Sequence, residues 1–194
     1  MSPVPASTRQ LLVATQVVFF ICVAICSAIA YGPGAASSGI SYFGVHAPTI
    51  PFIIIGYGVA SVGLWRTAGQ LDRLEHAPVV APVLRVVSIG LPVELLTPYN
   101  HGAFFNWAHM LVGIVIGASQ MASSLYLMLR QRRRSLTLTC LLQLVGGIVA
   151  ALSLPDWGFN HMLEGEVIFE LGYSWSLVLW AHLAPARETR FADL

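Results

Sequence analysis

Six apolar runs, each near the length of a bilayer-spanning helix, account for most of the chain. A helix needs about 20 predominantly apolar residues to cross the hydrocarbon core of a membrane. The runs lie at about 10–31, 49–68, 78–97, 104–129, 136–154 and 162–183. We therefore predict an all-α polytopic integral membrane bundle of six transmembrane helices, forming a single domain over residues 1–194.

Charged residues are too few to cover a water-exposed surface. They make up 10% of the chain, against 56% hydrophobic residues, whereas soluble domains carry about 25% charged residues. The basic residues are all arginine, and no basic tract with interleaved aromatic residues is present. This composition favours a membrane protein and argues against a nucleic-acid partner.

The placement of the arginines predicts the orientation. When the chain crosses the membrane six times, nine arginines fall on one side, and the loops on the opposite side hold none. The positive-inside rule then places both termini in the cytoplasm. We expect a bacterial cytoplasmic membrane protein with three outward loops, at 32–48, 98–103 and 155–161.

The fourth run carries a stripe of polar and small residues. On a helical wheel its members lie within about 80° of one another; they are Asn106, His109, Gly113, Gly117, Gln120 and Ser124. The Gly113-x-x-x-Gly117 spacing permits close approach by another helix. The stripe can therefore serve simply as a packing face.

The sixth run carries carboxylates at membrane depth. Glu166 and Glu170 are one turn apart on a face shared with Tyr173, and Glu170 lies about 12 Å inside the run. A carboxylate there is costly unless it is paired, protonated or wetted. A buried ion pair with Arg85 of the third run is one solution. The other is that Arg85 extends to the cytoplasmic interface and Glu170 stays protonated or meets a hydroxyl.

Polar residues gather at the outward ends of the third, fourth and sixth runs, where they predict an outward-facing vestibule. The lining residues singled out are Glu94, Asn100, Asn106 and Asp156. Imidazole and carboxylate are also ligands of zinc and iron. The candidate metal ligands are His101, His109 and His161, although the spacing matches no metal signature and a wet vestibule needs no metal.

Three stretches carry a family resemblance. Gly39-Ile-Ser-Tyr-Phe-Gly44 precedes the second run, Pro98-Tyr-Asn-His101-Gly102 with His109 opens the fourth, and Glu166 and Glu170 precede Trp175 in the sixth. The arrangement resembles the bacterial six-helix membrane proteins called domain of unknown function 998, distantly similar to the Frag/DRAM/Sfk proteins. The second histidine of the family's His-Gly-x-x-His-like stretch is displaced here to His109, and His161 and Glu164 replace its acidic–arginine pair. The resemblance implies six helices and leaves the activity open.

Three functions follow as expectations. The first is an accessory protein that binds a membrane lipid or another membrane protein, since the small-residue faces and short loops suit that role. The second is a metal-assisted intramembrane hydrolase acting on lipid, with zinc or iron on the histidines and Glu166 or Glu170 as the catalytic general base. The third is a small transporter or proton pathway that uses Glu170 and Arg85.

Overall fold

The computed structural model describes residues 4–72, 77–154 and 158–183. These residues form α-helices and one 3₁₀ helix, with no β-strand among them. The α-helices are α1 (Ala6–Ala30), α2 (Pro33–Ser38), α3 (Ile50–Leu71), α4 (Val80–Leu96), α5 (Ala103–Gln131), α6 (Arg134–Leu152) and α7 (Met162–Leu183), and the 3₁₀ helix covers Gly39–Gly44. The predicted all-α class is confirmed for this part of the chain, and each predicted run coincides with a long helix.

Four of the helices, α1, α3, α5 and α6, are long and apolar enough to cross a membrane. They indicate a membrane protein, as the composition predicts. Length and composition alone do not identify α4 and α7 as membrane-spanning helices. The first has only 17 residues, and the second carries Glu164, Glu166 and Glu170.

The six long helices contact one another in a closed ring. α1 packs on α3, α3 on α4, α4 on α5, α5 on α6 and α6 on α7, and α7 returns to α1. α7 also contacts α5, α2 and the 3₁₀ helix. The carboxylates of α7 therefore have neighbours from several parts of the chain.

Glycines allow α6 and α7 to approach closely in the ring. A Cβ atom at Gly146 of α6, or at Gly165 or Gly172 of α7, would overlap backbone atoms of the facing helix. Gly117 of α5 is different, because a Cβ there would meet only the Phe169 ring, at an ordinary 3.9 Å. The tightest helix contact in this region thus lies between α6 and α7, away from the Gly113-x-x-x-Gly117 stripe.

The connection between α1 and α3 is structured and folds back onto α7. Both α2 and the 3₁₀ helix contact α7. Ile40 and Phe43 of the 3₁₀ helix are buried in the hydrophobic core, with 5% and 0% of their surface exposed. Their burial holds the backbone of the 3₁₀ helix against the first turns of α7.

Candidate functional site

Three glutamate side chains lie close together inside the ring. Glu94 comes from the last turn of α4, and Glu166 and Glu170 come from successive turns of α7. Glu94 is close enough to both of the others for their charges to interact. All three side chains are half-buried. The fold therefore collects three acidic groups from two helices that are distant in sequence.

The carboxylate of Glu166 is held by the 3₁₀ helix. The backbone N–H of Ile40 donates a hydrogen bond to Oε2 of Glu166 at 2.6 Å. Gly39 has φ +68°, and a Cβ atom there would overlap the Glu166 carboxylate. Glycine adopts this backbone conformation at little cost, and it also leaves the space that the carboxylate fills.

The carboxylate of Glu170 is held by an amide. Nε2 of Gln120 on α5 donates to Oε2 of Glu170 at 3.0 Å. Oε1 of Gln120 and the hydroxyl of Tyr173 have no hydrogen-bond partner among the described residues, although both side chains are only 1% exposed. An unpaired buried polar atom costs about 1–3 kcal/mol, so a water molecule or another polar partner at these two atoms would stabilise the site.

A small cavity joins Glu94 to the histidine of α5. Its volume is about 10 Å³, and its lining includes Glu94, His109, Tyr57, Ser41 and Tyr99. A cavity of roughly 10–15 Å³ holds about one water molecule. The space is therefore sufficient for one water between the carboxylate and the imidazole, and too small for a lipid headgroup.

His109 has a fixed orientation at this cavity. Its Nδ1 lies 2.9 Å from the backbone oxygen of Thr97, and because a carbonyl oxygen only accepts hydrogen bonds, Nδ1 carries a hydrogen. Its Nε2 lies 2.7 Å from Oγ of Ser41, so in the neutral ring the hydroxyl donates to Nε2. The ring thereby connects the α4–α5 loop to the 3₁₀ helix.

The structure does not bring the three candidate metal ligands together. His109 is engaged with Ser41 and Thr97, whereas His101 lies exposed in the α4–α5 loop beside Phe105. His161 precedes α7, with Nδ1 3.7 Å from Oε2 of Glu164. Within residues 4–72, 77–154 and 158–183, no three His, Cys, Asp or Glu side chains form a group that could hold a metal ion.

The ion pair considered between Arg85 and Glu170 does not form in the structure. The Arg85 guanidinium contacts the Asp72 carboxylate and lies over the Trp65 ring, 5.8 Å from its centroid. Trp65 lies in the last two turns of α3 and Asp72 directly follows the helix, and the long arginine side chain reaches both. Glu170 is left with the amide of Gln120, and the described arginines form no ion pair with any of the three carboxylates.

The residues expected to line the vestibule have separate positions. Glu94 belongs to the carboxylate cluster, and Asn100 and Asn106 are exposed. Asp156 lies outside the described residues. A contact at the same end of the bundle joins α1 to α7, where the Tyr31 hydroxyl donates to Oε1 of Glu164 at 2.5 Å.

Two residues of the site were not singled out from the sequence. Ser41 lies within the Gly39–Gly44 stretch that carries the family resemblance, which is the signal that could have found it. Tyr57 of α3 is 6% exposed, and its hydroxyl interacts with the Glu94 carboxylate. A tyrosine placed between Gly56 and Ala60 in an apolar run was the corresponding signal.

Comparison with known protein families found no matching family model, and comparisons with curated proteins and with solved structures found no similar protein. The resemblance to the domain of unknown function 998 family stays a prediction. The function has to be argued from the site itself.

Proposed function

We propose that the protein is a proton pathway of the membrane, in which Glu94, Glu166 and Glu170 carry the proton inside the helix ring. The observation that supports this most strongly is the convergence of three carboxyl groups that have no cationic partner among the described residues. Ionisable residues inside a membrane bundle commonly form proton relays.

The chemistry of the cluster favours proton exchange. A carboxylate away from water is stable only when it is neutralised, and neighbouring like charges oppose ionisation of all three groups at once. The described arginines do not neutralise them. A proton is the cation that needs least space, and the adjacent cavity has room for about one water.

Further polar groups lie near the cluster and along α5, and we propose that the proton moves through them. The cavity lined by His109 lies next to Glu94, and Gln120 and Tyr173 lie beside Glu170. Ser123 and Ser124 of α5 follow about one turn beyond Gln120 and are also buried with unpaired hydroxyls. These groups lead toward the arginine-rich end of α5.

We also propose that all six long helices span the bacterial cytoplasmic membrane, with both termini cytoplasmic and the vestibule facing outward. α4 and α7 complete a ring with four helices that are apolar enough to cross. The distribution of arginines supports the orientation, and the family resemblance supports the number of spans.

The metal-assisted hydrolase is less well supported by the geometry, because His101, His109 and His161 do not form a metal-binding group within the described residues. Ser41 and His109 have the spacing of a nucleophile and its base. The cavity beside them, at about 10 Å³, does not admit a lipid ester. The accessory role in binding a lipid or a partner protein stays a prediction.

The test is proton flux into liposomes that contain the purified protein and an internal pH dye. We expect a potassium diffusion potential to drive faster acidification than in protein-free liposomes. The Glu170→Gln variant should return the rate to that of protein-free liposomes. His101→Gln, which changes an exposed histidine outside the cluster, serves as the control and should keep the wild-type rate. A wild-type rate equal to that of protein-free liposomes would overturn the proposal.

A further inference from the structure

A groove on the outer surface of the ring lies between α3 and α4. Its volume is about 390 Å³. Four large apolar side chains that line it, Val62, Trp65, Ile89 and Leu96, are between 51% and 74% exposed. From Ser88 to Leu96 the groove follows α4 for about 12 Å, at 1.5 Å per residue. It is thus large, elongated and apolar.

The backbone carbonyl that Pro92 leaves without a helical donor already has a hydrogen bond. Pro92 lies inside α4 and has no N–H, so the carbonyl of Ser88 loses its helical hydrogen-bond donor. Oγ of Ser61 on α3 donates to that carbonyl at 2.5 Å instead. Because this carbonyl needs no further donor, the groove suits a hydrocarbon chain better than a polar ligand.

One end of the groove carries a positive charge. Arg66 lines it beside Trp65, and Arg66 is exposed. The nearby Arg85 is neutralised by Asp72, whereas Arg66 forms no ion pair with any described residue. A tryptophan and an arginine at the end of an apolar surface are typical of the membrane interface.

We propose that this groove binds one anionic phospholipid, with the phosphate of the headgroup at Arg66 and an acyl chain along Val62 and Ile89 toward Leu96. The positive charge selects an anionic headgroup, and the apolar walls accept the chain. In the orientation proposed above, the headgroup lies in the cytoplasmic leaflet, where anionic lipids produce the negative surface potential. The binding does not depend on the proton pathway.

The test is native mass spectrometry of the full chain in detergent micelles that contain phosphatidylglycerol and phosphatidylcholine with identical acyl chains. We expect the wild type to retain one phosphatidylglycerol in preference to phosphatidylcholine. Arg66→Gln should lower that preference by about fivefold, the effect of one arginine near an anionic surface. Val62→Trp fills the groove and should remove the retained lipid.

Two matched variants make the result specific to the groove. Arg130→Gln changes another exposed arginine, one that donates to Tyr126. Ile21→Trp enlarges a side chain of α1 that is as exposed as Val62, at 53% for both. Both should retain phosphatidylglycerol as the wild type does. Equal retention of the two lipids by the wild type, undiminished retention in Val62→Trp, or an equal loss in Ile21→Trp would overturn the proposal.

Discussion

At the scale of single residues, an amide rather than a cation holds Glu170, and this difference suits a group that exchanges a proton. An arginine in contact with Glu170 would stabilise its charged form. The Gln120 amide is neutral, and it offers a donor at Nε2 and an unpaired acceptor at Oε1. It can therefore form a hydrogen bond with either form of the carboxyl group.

The hydrogen bond between Gln120 and Glu170 predicts that variants of the site change stability and proton transfer independently. Glu170→Gln removes a half-buried ionisable group and keeps an amide within reach of Gln120, so the free energy of unfolding should be unchanged or higher. Gln120→Leu leaves Glu170 without its donor and should lower that free energy by about 1–3 kcal/mol. Thermal unfolding in detergent measures both, and a greater loss in Glu170→Gln than in Gln120→Leu would contradict this explanation.

The sequence placed the acidic residues but not their partners. Helical periodicity alone puts Glu166, Glu170 and Tyr173 on one face. Whether Arg85 or Gln120 meets Glu170 depends on which helices face each other across the ring, and periodicity contains no information about that. The contact between Ile40 and Glu166 could not be predicted from the sequence either, because it depends on how the segment after α1 folds back.

At the scale of helices, close backbone approach between α6 and α7 is a main feature of the packing. Lipid chains are as apolar as leucine, so helices in a membrane gain little from the hydrophobic effect and depend on close contact. Gly146, Gly165 and Gly172 provide that contact. The α6–α7 pair can thus fix the position of α7 and of the carboxylates on its other face.

A pair of alanine variants tests this packing. Gly165→Ala should lower the free energy of unfolding by about 1–3 kcal/mol, since the added Cβ overlaps the backbone of α6. Gly117→Ala has room for its Cβ and should be neutral or slightly stabilising, because alanine favours helix more than glycine does. Thermal unfolding in one detergent compares the two, and equal losses would show that the α6–α7 contact is not special.

The sequence predicts where the helices lie better than it predicts which helices contact one another. Apolar length locates each helix, since the bilayer thickness sets the length required. Small residues occur in α3, α5, α6 and α7 alike, so their spacing does not choose between possible partners. In the structure the close backbone approach is between α6 and α7, although the Gly113-x-x-x-Gly117 spacing indicated that α5 could approach another helix closely.

At the scale of the whole molecule, the carboxylate cluster and the arginines of the α5–α6 connection occupy different parts of the bundle. The carboxylate cluster lies with the 3₁₀ helix and the α4–α5 loop, whereas Arg130 and Arg132–Arg134 lie at the α5–α6 connection. This separation leaves the cluster without arginine partners among the described residues. It also provides the charge asymmetry from which the orientation is proposed.

The proposed orientation predicts which sites an impermeant maleimide can reach in intact cells. Ser37→Cys, at an exposed position of α2, should be labelled from outside, and Arg133→Cys only after the membrane is opened. The native Cys22, Cys26 and Cys140 are buried and should contribute little background. Labelling of the two positions in the reverse order would contradict the orientation.

The most direct measurement of the central claim is the infrared absorbance of carboxylic acid groups in the reconstituted protein as the pH is varied. If the cluster exchanges protons, the acid carbonyl band should weaken as the pH rises, and Glu170→Gln should lose part of that change. Glu164→Gln alters a carboxylate at the edge of the bundle and should keep the change attributed to the cluster. A band that stays constant with pH, or a change that is unaffected by Glu170→Gln, would contradict the proton pathway.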